Sequence, residues 1–198
     1  MKNFVIALLL LLAFAGCERL IEPSDENAAD YLPITPGSTW EYFYNGDYAY
    51  GMELVAGNDT IINGKVFKTQ HAEGWSEAVN IYRFKGDDIY KVDRKTDEEL
   101  IFKMAPVGTS WSSRIQYDSV NFSIVKSSVI SKGQTMEVYG NTFNDVIHIR
   151  SLVENYFANG SSGDYVRNRY FAKGVGIIKE QVEDGNPGFN GLKNYSIK

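Results

Sequence analysis

The chain has one cysteine, Cys17, and two histidines, His71 and His148, in 198 residues. A lone thiol makes no internal disulfide, and no cysteine-rich metal site can be assembled. The histidines stand in no H-x-x-x-H or H-E-x-x-H spacing, which excludes a helix-borne zinc pair. A Gly-x-Ser-x-Gly elbow and a glycine-rich phosphate loop are both missing. Basic residues are outnumbered, 20 Lys and Arg against 25 Asp and Glu, for a net charge of −5. No basic stripe exists, so no nucleic-acid partner is expected, and a phosphate polymer would be repelled. The same acidity argues against a second, electrostatic contact with an anionic membrane. After residue 30 no stretch sustains a helical period. A short helix is compatible with the pattern only near Asp145 or Glu154. No catalytic set, metal site or cofactor site emerges, and the expectation is a non-enzymatic domain. A hydrolase using carboxylates from distant strands is kept as a third reading.

Long apolar runs are also scarce. The one at Phe4–Phe14 falls short of the ~20 residues a spanning helix needs. Lys2 precedes it and the small residues Ala15 and Gly16 follow, the pattern of a secretory signal over residues 1–16. Ala15-Gly16-Cys17 resembles the lipobox of bacterial lipoproteins, with Phe14 where leucine is commoner. That resemblance implies covalent lipid on Cys17: a diacylglyceryl thioether and a further acyl chain on its amine. One acyl chain holds a protein to a bilayer only marginally, with K of about 10⁴ M⁻¹, whereas two or more anchor it stably. Glu18 follows where the enterobacterial sorting rule reads aspartate as inner-membrane retention. The expected address is therefore the outer membrane, facing either the periplasm or the outside. Residues 17–30 are acidic, poor in apolar side chains and interrupted by Pro23, and are expected to form a flexible tether.

Strands are what the rest of the chain offers. Aromatics make up 14%, including 13 tyrosines, which favours pleated structure. TWEYFYN places Trp40, Tyr42 and Tyr44 on one face. Asn63-Gly64 between two apolar runs signals a type I′ hairpin. KGDD at 85–88 separates two further strands, and SVNFSIV alternates Val120, Phe122 and Ile124. VIHIR, YVRNRYF, GIIKEQV and LKNYSIK follow. Residues 158–164 and 183–191 read as loops. Some ten short strands predict a mainly β chain: one antiparallel curved sheet, open barrel or sandwich, with little helix, in one domain over 31–198. The acidic run Asp87, Asp88, Asp93, Asp97, Glu98 and Glu99 lacks calcium-loop order and reads as a solvated hairpin.

The pattern also repeats. PGSTW ends at Trp40 and VGTSW at Trp111; Gly64-Lys-Val-Phe67 has its counterpart in Gly140-Asn-Thr-Phe143. YRFKGDDIYK (82–91) aligns with YFAKGVGIIK (170–179), matching Tyr82 to Tyr170 and Gly86 to Gly174. Two similar halves, about 33–95 and 105–182, are expected to pack into one sheet. YLPITPGSTWEY, PVGTSW and YFAKGVGIIK resemble a group of exported Bacteroidetes lipoproteins of uncharacterised function. These carry an opening Gly-x-x-Trp-x-Tyr and a closing Tyr-Ala-x-Gly-Val-Gly, with Ile34 and Phe171 departing here. The resemblance implies an exported β-rich domain and no activity; the curved-sheet lipoprotein carriers are an analogy of fold alone. The leading reading is a membrane-anchored binding or accessory domain for an apolar ligand or a glycan, and its alternative is an assembly lipoprotein contacting an envelope protein. Trp75, Tyr42 and Tyr44 are the candidate ligand contacts. Trp40, Trp111, Gly86, Gly174, Tyr82 and Tyr170 are the expected core and repeat markers.

Overall fold

The computed structural model describes residues 27–45, 50–93, 97–158, 160, 163–183 and 189–198. A 3-10 turn, Ala28–Tyr31, leads into strands β1 (Thr39–Asn45), β2 (Tyr50–Ala56), β3 (Thr60–Ile62), β4 (Lys65–Ala72), β5 (Ala78–Lys85), β6 (Asp88–Asp93) and β7 (Asp97–Lys103). The second half holds β8 (Ser110–Gln116), β9 (Phe122–Val138), β10 (Asn141–Tyr156), β11 (Tyr165–Ala172), β12 (Gly176–Val182) and β13 (Phe189–Ser196). All pairings are antiparallel, and twelve strands curl into a nearly closed barrel. The order runs β7-β6-β5-β4-β2-β1-β13-β12-β11-β10-β9-β8, with β3 beside β4 as a continuation of β2. One seam, between β7 and β8, carries no backbone ladder.

Alternation decides what fills the barrel. Along β9, Ser123, Val125, Ser127 and Val129 are buried while their neighbours face outward. The expected stripe Val120, Phe122 and Ile124 is therefore one residue out of phase. Val120 lies in a turn before the strand, and a one-residue slip exchanges the two faces. The segment thought open to a helix belongs to the 16-residue β10, where Asp145 (φ 53°) sits at a bulge. Residues 189–191, read as loop, open β13.

The lower end of the barrel is plugged by the entering chain. Asn27 caps the 3-10 turn: its Oδ1 accepts from Ala29 N at 2.8 Å, and its own N–H donates to Asp30 Oδ2 at 3.2 Å. Ala28 and Tyr31 are fully buried, and Leu32 and Ile34 nearly so. The Tyr31 ring stacks on Phe102 at 5.4 Å, and Phe102 meets Phe171 edge-on at 4.9 Å. Residues 28–30, expected to belong to the tether, are part of the folded domain, because Ala28 and Tyr31 have a core to enter. The opening and closing motifs meet here. Trp40 Nε1 donates to Val175 O at 2.7 Å, and Gly174 N donates to Asp30 O at 2.6 Å. Gly176, at φ 112°, lies so close to Leu32 and Trp40 that a Cβ would stand 3.3 Å from Leu32 Cδ1.

The two halves share details. Gly37 N donates to Ala56 O and Ala56 N to Ser38 O; Gly108 N donates to Val129 O and Val129 N to Thr109 O in the same way. Asn63-Gly64 and Tyr139-Gly140 both turn with two positive φ angles, and the matched Phe67 and Phe143 are both buried. Tyr82 and Tyr170 part company. Tyr82 is buried in the lumen, whereas Tyr170 lies on the outer face stacked on His148 at 4.3 Å. Arg167, Arg169 and Phe171 alternate inward along β11, which leaves Tyr170 outside; the extra residue of the neighbouring bulge, Ile178, belongs to β12. Tyr170 is partly buried and packs against the core from that face.

Candidate functional site

The middle of the lumen is charged. In β11 the i, i+2 spacing sends Arg167 and Arg169 inward together, and Glu99 of β7 meets them from across the barrel. Arg167 Nη2 and Arg169 Nη1 both donate to Glu99 Oε1, the latter at 2.8 Å. Arg169 Nε donates to Glu180 Oε2 of β12 at 2.6 Å. Arg169 and Glu99 are almost wholly buried; the accessible third of Glu180 faces the lumen. Burial pushes the Glu99 carboxyl up, but Arg169 and Arg167 outweigh it and hold the group below the usual range. Burial likewise opposes ionisation of Glu180, yet Arg169, Arg167 and Lys91 bring its pKa to about 2.

Beside this network lies a cavity of about 140 Å³. Leu32 of the plug borders it, and Tyr42, Leu54, Gln70, Asn80, Tyr82, Lys91, Ile177 and Glu180 are among its walls. Asn80 Nδ2 donates to Gln70 Oε1 at 3.2 Å, and Tyr42 Oη donates to Ile177 O at 2.7 Å. Burial, then the nearby Tyr82 and Glu180, raise the Tyr42 phenol well above its ordinary pKa. Met52 and Asn190 lie toward the upper end of the same wall, where Met52 is partly exposed and Tyr50 more than half exposed. Tyr44 packs against Tyr50 there at 5.2 Å. A second, open groove of about 730 Å³ flanks the entering chain at the lower end.

The residues singled out in the sequence are thereby placed. Trp40 is fully buried; Trp111 is half-buried, with Nε1 donating to Leu100 O at 2.7 Å. Tyr42 lines the cavity, Tyr44 stands above it, and Trp75 is 67% exposed in the β4–β5 connection at the same end. Gly86 and Gly174 occupy turns at φ 57° and 73°. Cys17 lies outside the described residues. The histidines are not brought together: His71 is on β4 and His148 on β10, with five strands between them either way round. His148 Nε2 meets Asn168 Oδ1 at 2.8 Å, and Asn168 Nδ2 donates to Glu183 Oε1 at 2.7 Å, all on the outer face. Burial lowers the His148 pKa. Among the described residues no three His, Cys, Asp or Glu gather as a metal site.

The acidic run divides between faces and is not uniformly solvated. Glu98 pairs outward with Arg83, Asp88 with Lys103 at 3.0 Å, and Asp97 accepts from Gln116 N, while Glu99 points into the lumen. Sequence reasoning passed over Arg167, Arg169 and Glu180, and read Glu99 as part of a solvated hairpin. A signal was present: Arg167-x-Arg169 in a strand must put two guanidiniums on one face, and Phe171 two positions on leans the same way.

No family model matches the chain, and no curated protein matches it. Two solved structures share its fold. One is a "putative lipoprotein" of Parabacteroides distasonis, 9% identical, with a TM-score of 0.54 over 84% of this chain and 98% of that one. The other is a "putative exported protein with YmcC-like fold" of Bacteroides fragilis, 6% identical, with a TM-score of 0.50 over 82% of this chain and 96% of that one.

Proposed function

We propose that this chain is an envelope lipoprotein, anchored by acyl chains on Cys17, whose barrel binds a small ligand from the aqueous side. The observation that carries the reading is polarity of the barrel ends. The chain arrives at the plugged lower end, and the cavity rim of Met52 and Asn190 lies toward the upper end. A protein tethered at Cys17 then presents its mouth away from the bilayer. The outer face agrees with a tethered rather than an embedded barrel. It carries the ion pairs Arg83–Glu98, Lys126–Glu154 and Arg150–Glu183, where a membrane-spanning barrel needs an apolar band. The lipoprotein and exported descriptions of its two structural neighbours support the same address. The outer membrane is the proposed site, consistent with Glu18 after the cysteine.

The test is native mass spectrometry of the protein purified gently from its own envelope, compared with the denatured chain. A retained mass of a few hundred daltons, released on denaturation, is the expected result. An apo mass under conditions that keep the barrel folded sinks the binding reading. One observation favours the assembly alternative. Ile61 and Val66 face each other across β3·β4, 72% and 55% exposed, on a hairpin at the lower end. Cross-linking from that hairpin to an envelope protein, together with an apo mass, would select it.

A further inference from the structure

Among the described residues, Arg167, Arg169, Glu99 and Glu180 pair two cations with two carboxylates through three arginine–carboxylate hydrogen bonds, with Arg167 Nε buried and unbonded. Lys91 is a third cation beside them. It lies opposite Glu99 in the β6·β7 register and lines the cavity. Among the described residues its ammonium makes no hydrogen bond and no close ion pair, since both carboxylates are engaged by the arginines. Among the described residues the Tyr82 hydroxyl, in the same wall, also has no hydrogen-bond partner. Lys91 is half-buried, and an ammonium drawn partly out of water with no anion in contact is destabilised.

We propose that the cavity receives one monoanionic group, a carboxylate by preference, seated on Lys91 Nζ and Tyr82 Oη. This rests on the reading of the barrel as a binding domain and names the chemistry of what it binds. One negative charge offsets Lys91, which favours a carboxylate over a phosphate dianion. Size sets how much of the ligand goes in. At about 140 Å³ the cavity is smaller than the roughly 300–1,000 Å³ that encloses a whole small molecule, so it holds a headgroup. The body of the ligand rises past Met52 and Asn190 toward Tyr44 and Tyr50. Burial lowers the Lys91 pKa while Glu180 and Glu99 raise it and the arginines lower it again, as for a cation only partly compensated.

Calorimetric titration of the purified full-length protein tests this with acetate, hexanoate and glucuronate, each against a neutral control: ethanol, hexanol and methyl glucoside. The acids are expected to bind at least tenfold more tightly than the controls. Lys91→Met should abolish that preference, and Tyr82→Phe should weaken it severalfold. Hexanoate above glucuronate identifies an apolar-tailed acid, and the reverse order identifies an acidic sugar; either supports the anion site. If Lys91→Met does not fold, the ε-carbon NMR signal of Lys91 in the unmodified protein decides, shifting with acetate or staying still. Neutral probes that bind as well as acids overturn the inference while leaving the binding reading intact. Binding of acids that survives Lys91→Met also overturns it. Failure of every probe, with an apo native mass, removes both.

Discussion

Arg169 shows how much one side chain holds together in this interior. It donates to Glu99 of β7 and to Glu180 of β12, bridging the barrel from its own strand. Replacing it with methionine leaves Glu180 without its guanidinium and Glu99 with Arg167 alone. Arg169→Met should destabilise the protein by about 3–5 kcal/mol, read from urea unfolding, because an orphaned buried charge costs more than the pair contributes. The same network predicts an acid limb. Glu180 is held at about 2 against an ordinary value of 4.5, so its folded pKa lies below its unfolded one. Such a group adds stability in full above the unfolded pKa, and that stability disappears as pH falls through the folded pKa. Stability should therefore decline from about pH 4.5 to about pH 2. Glu180→Gln should flatten that limb and lower stability at neutral pH by on the order of 2 kcal/mol, less than the whole shift because a third of the side chain is accessible.

Strand pairing makes the two junctions between the halves unequal. β1 and β13 ladder along their length, from Thr39 opposite Ser196 to the upper end. β7 and β8, at the matching junction, are joined by side chains instead. Leu100 N donates to Ser113 Oγ at 3.0 Å, Trp111 Nε1 to Leu100 O at 2.7 Å, and Gln116 N to Asp97 Oδ2 at 2.6 Å. Such a closure blunts two sheet edges without a continuous ladder. Ser113→Ala should leave Leu100 N without its acceptor, cost about 1–3 kcal/mol, and speed amide exchange in β7 and β8 while β1 and β13 keep their protection. Exchange mass spectrometry reads this directly; uniform protection across both junctions would contradict it. The strands themselves were largely legible. TWEYFYN and GIIKEQV coincide with β1 and β12, and Asn63-Gly64 turns as its chemistry requires. The 17-residue β9 was not, because Gly133 and the β10 bulges are absorbed within long ladders and look like breaks in a linear reading.

At the scale of the whole molecule, the proposed lipid anchor and the barrel divide the work. In that proposal the anchor holds one end, the plug seals that end, and the lumen is left to the other. Cys17→Ala should move the protein from the membrane fraction to the soluble fraction and remove the mass of its acyl chains. Its thermal unfolding should not change, since the described barrel core is built from Ala28 onward without Cys17. The sequence by itself determined the things that depend on neighbours along the chain. These are a signal-like start ending at Cys17, strands from alternation, turns from glycine, and a repeated order of motifs around Trp40 and Trp111. Alternation states that two residues share a face, but it does not state which face lies inside. Only the tertiary structure decided that Arg167, Arg169, Glu99, Glu180 and Lys91 point into one lumen. They come from two strand pairs far apart in the chain, β6–β7 and β11–β12, and curling the sheet into a ring brings Glu99 within bonding distance of both arginines. Closure also decided that Tyr82 lies within and Tyr170 without, because the alternation of β11 turns Arg169 and Phe171 to the lumen and Tyr170 away from it.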